Sequence, residues 1–214
     1  GKTLTVVSFA IAAAKSGWRV LIFDGDLGLA NVDILLGLRV TRTIRDVLDG
    51  TAPLQSVILK GPLGIEIIPS GSGLTSLQSL SANDRQILRT EIEKLDDRYD
   101  LLLIDTGAGI HDTVLHLNTI ADRRVIVTTP EPHALTDAYA LIKVLTEEHH
   151  LGRFELIVNM AHSLSEGQAI ARRMQEVVTN YLQADLNHLA TIPFDPNIGR
   201  LVLQRRSLSA ELLR

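Results

Sequence analysis

The stretch RVLIFDGD, residues 19–26, decides the fold of this chain. Four consecutive apolar residues that end on a carboxylate are typical of a strand buried on both faces, as in a parallel sheet. The stretch LLLID, residues 101–105, repeats the same pattern. Ligands of parallel sheets bind beyond the carboxyl ends of the strands, so we expect Asp24 and Asp105 to lie at a ligand-binding edge.

Segments that favour strands alternate with segments that favour helices along the rest of the chain. We predict strands at residues 19–24, 65–69, 101–105, 125–129, 156–159 and 188–192. We predict helices at residues 4–16, 43–49, 83–96, 134–149, 166–182 and 197–204, with a further short helix within 28–37. The alternation indicates βαβ crossovers, hence an α/β fold with a mostly parallel sheet, helices on both faces and one domain over residues 1–214.

Three details of this prediction concern the ends of elements. Gly17 is the candidate C-cap of the first helix, and Asn83 is the candidate N-cap of the helix at 83–96. Thr129 and Asn159 follow apolar strands, as Asp24 and Asp105 do, so we expect all four side chains at the same edge of the sheet.

Composition excludes several classes of protein. The 214 residues include no cysteine, which rules out disulfide scaffolds, thiolate metal sites and cysteine nucleophiles. No apolar run reaches the roughly 18 residues of a membrane span, and we expect a cytoplasmic protein. The formal net charge is −4, from 21 Lys and Arg against 25 Asp and Glu. This balance argues against a broad basic surface, so we do not expect nucleic acid as a partner.

Gly1-Lys2-Thr3 stands directly before the first predicted helix and matches the end of the phosphate-binding motif G-x-x-x-x-G-K-[ST]. In that motif the glycine lets backbone N–H groups face the phosphates, the lysine reaches the β- and γ-phosphates, and the hydroxyl binds Mg²⁺. An ordinary helix start is the alternative for a tripeptide taken alone. Because half of the motif would precede Gly1, we expect further residues upstream of it.

Two acidic motifs complete the pattern. Asp24 and Asp26 flank one glycine after a strand, where they could bind a metal ion and a water. The alternative is that both are solvated acidic residues of an ordinary turn, since Asp and Gly are common in turns. Asp105 ends an apolar strand as in the Walker B motif, which holds a carboxylate beside Mg²⁺; a capping aspartate is the alternative. The order of the three motifs predicts a nucleoside triphosphatase.

Longer stretches resemble a known family. FDGDLGLANVD (23–33), LLIDTGAGI (102–110), TTPEPHALTDAYALIK (128–143) and VNM (158–160) resemble the MinD/ParA-type deviant-Walker ATPases, which are P-loop NTPases of the SIMIBI class. Among these, they are most similar to the flagellar-number regulators of the FlhG/FleN type. The resemblance covers residues 1 to about 208.

The resemblance implies a role for each matching residue. It implies that the phosphates and Mg²⁺ of ATP are bound by Gly1, Lys2 and Thr3, with Asp24 and Asp105 as outer-shell metal acids. It implies that Lys2 and Asp26 are catalytic, Asp26 by positioning the attacking water. It implies that Asn159 reads the adenine edge and that the base is surrounded by Pro193, Asp195 and Ile198.

The resemblance also implies partners. ATP binding would drive a homodimer, with the face at residues 131–143 towards the second subunit, and hydrolysis would release it. A flagellar SRP-type GTPase or flagellar assembly proteins would be the targets. Peripheral binding to the inner membrane in the ATP-bound state would use a C-terminal amphipathic helix that these residues do not include.

Other functions remain open at this point. A MinD-like division-site ATPase or a ParA-like DNA-partition ATPase would carry the same motifs, although the net charge of −4 argues against DNA binding. A scaffold that binds nucleotide without hydrolysis is disfavoured because Asp24, Asp26 and Asp105 are intact. A ligase of the dethiobiotin-synthetase type would share the fold.

Overall fold

The computed structural model describes residues 1–26, 31–70, 80–95 and 97–197. The helices are α1 Lys2–Lys15, α2 Val32–Leu36, α3 Ile44–Leu48, α4 Ala82–Glu93, α5 Asp112–Ile120, α6 Pro132–Glu147 and α7 Leu164–Leu182. The strands are β1 Val20–Gly25, β2 Leu59–Lys60, β3 Glu66–Ile68, β4 Leu101–Thr106, β5 Val125–Thr128, β6 Arg153–Ala161 and β7 Asp185–Pro193. Short 3₁₀ helices span Leu54–Ser56 and Pro62–Gly64.

The described residues form two compact units, 2–114 and 115–197. Each unit contains one sheet. The α/β class with mostly parallel strands is confirmed, and the one-domain organisation stays a prediction.

The first unit is built on a sheet of strand order β2-β3-β1-β4. Strand β1 is parallel to both of its neighbours, and only β2 is antiparallel. All six residues of β1 are buried, because the strand is central and α1 packs against β1 and β4. The β1–β4 register places Asp24 beside Asp105 and Gly25 beside Thr106.

The second unit is built on three parallel strands in the order β5-β6-β7. Helix α6 packs on β5, and α7 packs on β6 and β7. Helix and strand approach most closely at Gly167, where an added Cβ would lie 2.3 Å from Cγ2 of Thr191. No side chain other than hydrogen fits between α7 and β7 at that point.

Helix ends follow local chemistry. Gly17 has φ +88° just after α1, and the next N–H, that of Trp18, bonds to the carbonyl of Ala13 at 3.2 Å, so the predicted C-cap is confirmed. The predicted N-cap of α4 is wrong, because Ser81 and not Asn83 occupies that position. The Ser81 hydroxyl accepts a hydrogen bond from the Asp84 N–H, and the Asp84 carboxylate accepts one from the Ser81 N–H. This reciprocal pair places the N-cap of α4 two residues before the predicted one.

The remaining differences from the predicted elements are short segments. Helix α5, of nine residues, and strand β2, of two residues, were not predicted, since neither is long enough to show a period. Beyond Asn197, the helix predicted at 197–204 lies outside the described residues. No helix in the described part of the chain is long and apolar enough to cross a membrane.

Candidate functional site

Two strand-terminal carboxylates lie side by side at the carboxyl edge of the first sheet. Asp24 on β1 and Asp105 on β4 are register partners, with exposures of 0% and 2%. The sequence places each acid after an apolar run, and the parallel pairing of the two strands brings the acids together. Buried carboxylates are rare unless they are paired or hydrogen-bonded, so the partners of Asp24 and Asp105 indicate the role of each carboxylate.

Asp105 lies next to the first turn of α1. The Thr3 hydroxyl hydrogen-bonds to its carboxylate, and the charges of Lys2 and Asp26 both act on it. Burial raises the pKa of Asp105, which the Thr3 hydrogen bond and the positive charge of Lys2 oppose. Its Oδ1 atom is buried and has no hydrogen-bond partner in the described structure. The helix start predicted to bind phosphate is therefore beside the predicted Walker B aspartate.

Asp24 holds the loop that follows β1. Its carboxylate accepts hydrogen bonds from the backbone N–H groups of Asp26, Asn31 and Val32, at 3.3, 3.1 and 3.2 Å. Asn31 does not cap α2 with its own side chain, so Asp24 caps this helix from β1. Burial raises the pKa of Asp24 to about 7, and the charge of Asp105 acts in the same direction, whereas the three N–H groups oppose it.

Asp26 is half-buried two residues further on, held through its backbone and flanked by a glycine. The Ser70 hydroxyl, fully buried after β3, donates to the carbonyl of Asp26 at 3.2 Å. A Cβ on Gly107 would lie 3.4 Å from Oδ1 of Asp26. Glycine therefore leaves room beside this carboxylate for a small ligand such as water.

These residues fit a nucleoside triphosphate with Mg²⁺. The orphaned Oδ1 of Asp105 is a buried acceptor that a metal-bound water could satisfy, and the Thr3 hydroxyl is an Mg²⁺ ligand type. No group of three or more His, Asp or Glu side chains in the described ranges could hold a metal ion by itself. The Thr3 hydroxyl and the Asp105 carboxylate suit Mg²⁺, which keeps several waters and takes substrate phosphates as ligands.

Three of the four residues predicted to contact the base are described, and they lie in the second unit. Asn159, on β6, is 6% exposed, and its Oδ1 accepts the N–H of Met160 at 2.9 Å. Pro193 ends β7 and is exposed, and the Asp195 carboxylate accepts the N–H of Asn197 at 2.8 Å. Ile198 lies outside the described residues.

Gly1 is exposed, and a Cβ built on it would meet no atom within 4 Å. The roles assigned to Gly1 and to the other residues of the site stay predictions.

Sequence reasoning did not single out Ser70 or the proximity of Gly107 to Asp26. Ser70 stands two residues after the end of β3, and a serine in that position is too common to indicate a functional role. Its importance is evident only from its hydrogen bond to the backbone carbonyl of Asp26. Gly107 belongs to the LLIDTGAGI stretch of the family resemblance, in which nothing indicates a contact with Asp26.

Comparison with known proteins agrees with this geometry. A family model described as "AAA domain" matches residues 1–156. The antiactivator FleN of Pseudomonas aeruginosa is 40% identical over 208 residues, which cover 97% of this chain and 74% of FleN. The flagellum site-determining protein YlxH of Helicobacter pylori is 34% identical, over 97% of this chain and 70% of YlxH.

A solved structure is similar over almost the whole fold. The septum site-determining protein MinD of Pyrococcus horikoshii, solved with Mg-ADP, has a TM-score of 0.74 and 29% identity, covering 96% of this chain and 81% of MinD. The fold and the site together define a P-loop ATPase. The chain belongs to the MinD/ParA-type ATPase family, and its relatives in that family include the antiactivator FleN.

Proposed function

We propose that this protein is an ATP-hydrolysing switch that dimerises with ATP bound and controls the number or placement of flagella. The observation that carries the ATP site is the contact between Thr3, in the first turn of α1, and the buried carboxylate of Asp105. The flagellar output is supported by similarity to FleN and YlxH across 97% of the chain in both cases.

The chemistry proposed for the site is positional and electrostatic. Lys2 neutralises charge on the β- and γ-phosphates, and Thr3 holds Mg²⁺ through its hydroxyl, which Asp105 orients. Mg²⁺, when bound, supplies further neutralisation of the phosphate charge. Asp26 accepts a hydrogen bond from the attacking water and aims it at the γ-phosphate, while Gly107 leaves space for that water.

The switch follows from the same loops. Residues 107–109 follow β4, and Gly109 already adopts φ +92°, so this backbone can re-aim when the γ-phosphate leaves. In the proposal, the ATP state dimerises, binds the inner membrane peripherally and engages a flagellar SRP-type GTPase or flagellar assembly proteins. The ADP state returns to the cytoplasm.

Two substitutions in the full-length protein separate binding from hydrolysis. Lys2→Ala should abolish ATP binding in calorimetry, whereas Asp26→Ala should keep binding and lower phosphate release by about 10²–10⁴-fold. Asp26→Ala should also accumulate ATP-bound dimer in sedimentation velocity. Lys15→Ala, at the other end of α1, is the matched control and should behave as the parent. Unchanged ATP affinity of Lys2→Ala would remove Lys2 from the phosphates.

A cellular experiment tests the output. In the source organism, loss of the gene should change the number or position of flagella counted by electron microscopy. The parent gene should restore the normal pattern and the Asp26→Ala gene should not. Normal flagella together with misplaced division septa would contradict the flagellar role and favour a division-site function.

A further inference from the structure

The end of β6 carries an unusual backbone conformation. Met160 has φ +57°, a left-handed value that is uncommon outside glycine, and it directly follows Asn159. The β6–β7 register shifts between Asn159 and Ala161, so Met160 is the extra residue of a β-bulge. Bulges and left-handed residues beside functional groups often re-aim a side chain.

The β-bulge, which the left-handed φ of Met160 permits, matches this residue with none on β7, and its N–H bonds instead to the amide of Asn159. The N–H of Met160 donates to Oδ1 of Asn159 at 2.9 Å. Because a backbone N–H needs an acceptor, the amide oxygen and not the nitrogen must face Met160. No described residue accepts a hydrogen bond from the amide nitrogen, so Nδ2 is left to serve a ligand.

The surface next to this amide suits a flat ring. Met160 is 41% exposed and Phe194 is 54% exposed. The two residues lie near each other, because the N–H of Phe194 donates to the carbonyl of Ala161, the residue after Met160, at 2.8 Å. An aromatic ring and a thioether are side chains that pack readily on aromatic faces.

We propose that Met160 is a positioning residue for base selection: its left-handed backbone locks the Asn159 amide in the orientation that pairs with adenine and not with guanine. This inference rests on the proposed function, in which Asn159 reads the base of ATP. The side chain of Met160 is secondary, because the lock is its N–H and its φ angle.

The chemistry of the two purines gives the lock its effect. Adenine presents an exocyclic N–H donor beside a ring-nitrogen acceptor, which matches an amide that offers Nδ2 as donor and the second lone pair of Oδ1 as acceptor. Guanine presents a carbonyl acceptor at the equivalent position, which would face Oδ1. An amide free to rotate by 180° could instead match the carbonyl and ring N–H of guanine. Holding Oδ1 on Met160 prevents that exchange.

Substitutions at Met160 separate backbone from side chain. Valine is β-branched and strongly disfavours positive φ, whereas glycine and asparagine tolerate it. In the full-length protein, dissociation constants for Mg-ATP and Mg-GTP are measured by competition with a fluorescent nucleotide. We expect Met160→Val to lower the preference for ATP over GTP by about tenfold or more, and Met160→Gly and Met160→Asn to keep most of it.

Two further variants make the test independent of folding. His150 has φ +56° after α6 and precedes β6, so His150→Val imposes the same backbone penalty at the opposite end of that strand from Asn159. It should lower the melting temperature as Met160→Val does, without changing the ATP-to-GTP ratio. Asn159→Asp keeps an acceptor for the Met160 N–H but has no donor at Nδ2, so it should lose the preference for ATP.

The outcomes distinguish this inference from the function on which it rests. If Asn159→Asp and Met160→Val both lose selectivity while Met160→Gly retains it, the lock is supported. If Asn159→Asp loses selectivity and Met160→Val does not, the lock is wrong although Asn159 still reads the base. If Asn159→Asp keeps full selectivity, the base-reading role of Asn159 fails, and the lock fails with it.

Discussion

Gly107 lies against the carboxylate of Asp26: a Cβ built on this glycine would be 3.4 Å from both Cγ and Oδ1 of the aspartate. The contact joins the loop after β1 to the loop after β4, beyond the carboxyl edge of the first sheet. At this distance an alanine would touch the carboxylate without a severe clash. In the proposed mechanism it would nevertheless occupy the space of the water that Asp26 positions.

Gly107→Ala should therefore lower ATP hydrolysis while ATP affinity and the melting temperature change little. Displacing a reacting group by about 1 Å can cost about 10²-fold in rate, and a similar loss in phosphate release is expected here. Gly152→Ala is the matched control, since a Cβ there would meet no atom within 4 Å. Parental turnover in Gly107→Ala would mean that the water of hydrolysis does not lie on this side of Asp26.

Asp24→Ala should destabilise the protein rather than affect hydrolysis alone. It removes the acceptor of three backbone N–H groups, of which that of Val32 is fully buried. Leaving a buried donor unpaired costs about 1–3 kcal/mol, to be measured by urea unfolding. Asp24→Asn keeps an acceptor and is neutral, so its loss should be smaller. Equal stability of Asp24→Ala and the parent would show that the loop does not depend on Asp24.

Asp137→Lys tests the face of α6 that the family resemblance directs towards the second subunit. Asp137 is exposed in the first half of the helix, which begins at Pro132. We expect charge reversal to leave nucleotide binding by the monomer nearly unchanged and to weaken the ATP-dependent dimer in sedimentation velocity. If dimerisation persists and only the melting temperature drops slightly, Asp137 serves the helix dipole alone.

The ion pair between Arg19 and Asp100 predicts how stability depends on pH. Arg19 precedes β1 and donates to Asp100, before β4, from its Nη2 at 2.7 Å and its backbone N–H at 2.8 Å. These bonds lower the pKa of Asp100 to about 2, from an ordinary value of 3.8. Between these values the unfolded chain binds more protons than the folded one, so this contribution is complete above about pH 4 and is lost as the pH falls towards 2.

The measurement is urea unfolding of the parent and of Asp100→Asn across that range. The difference in unfolding free energy between the two should shrink as the pH falls from 4 to 2, and it should be constant between pH 5 and 7. Both groups are well exposed, so the difference should also decrease with salt. A difference that is independent of pH would exclude the ion pair as its source.

Much of the first sheet could be predicted from sequence because its signals are local. The apolar residues 20–23 and 101–104 each precede an aspartate, and both runs form parallel strands as such a pattern indicates. The predicted burial is confirmed for β1, which lies between two strands, whereas residues 101–104 are only half-buried because β4 pairs with β1 alone in the described sheet. Helix α4 was predicted from its amphipathic pattern, yet its first residue was misplaced, since the choice between two polar caps depends on which side chain closes the reciprocal bond.

The sequence by itself determined that this protein is an α/β protein whose first helix begins with part of a phosphate-binding motif and which has two strand-terminal carboxylates, because each of these features depends on consecutive residues. Only the tertiary structure decided what surrounds the acidic residues: Asp24 accepts hydrogen bonds from the loop that follows β1, whereas the backbone of Asp26 is held by Ser70, 44 positions away in the chain, and its carboxylate lies against Gly107. The reason is physical. A local run sets the conformation of its own backbone, but a contact between distant loops depends on strand register and on φ angles such as that of Met160, which no residue pattern in the chain specifies.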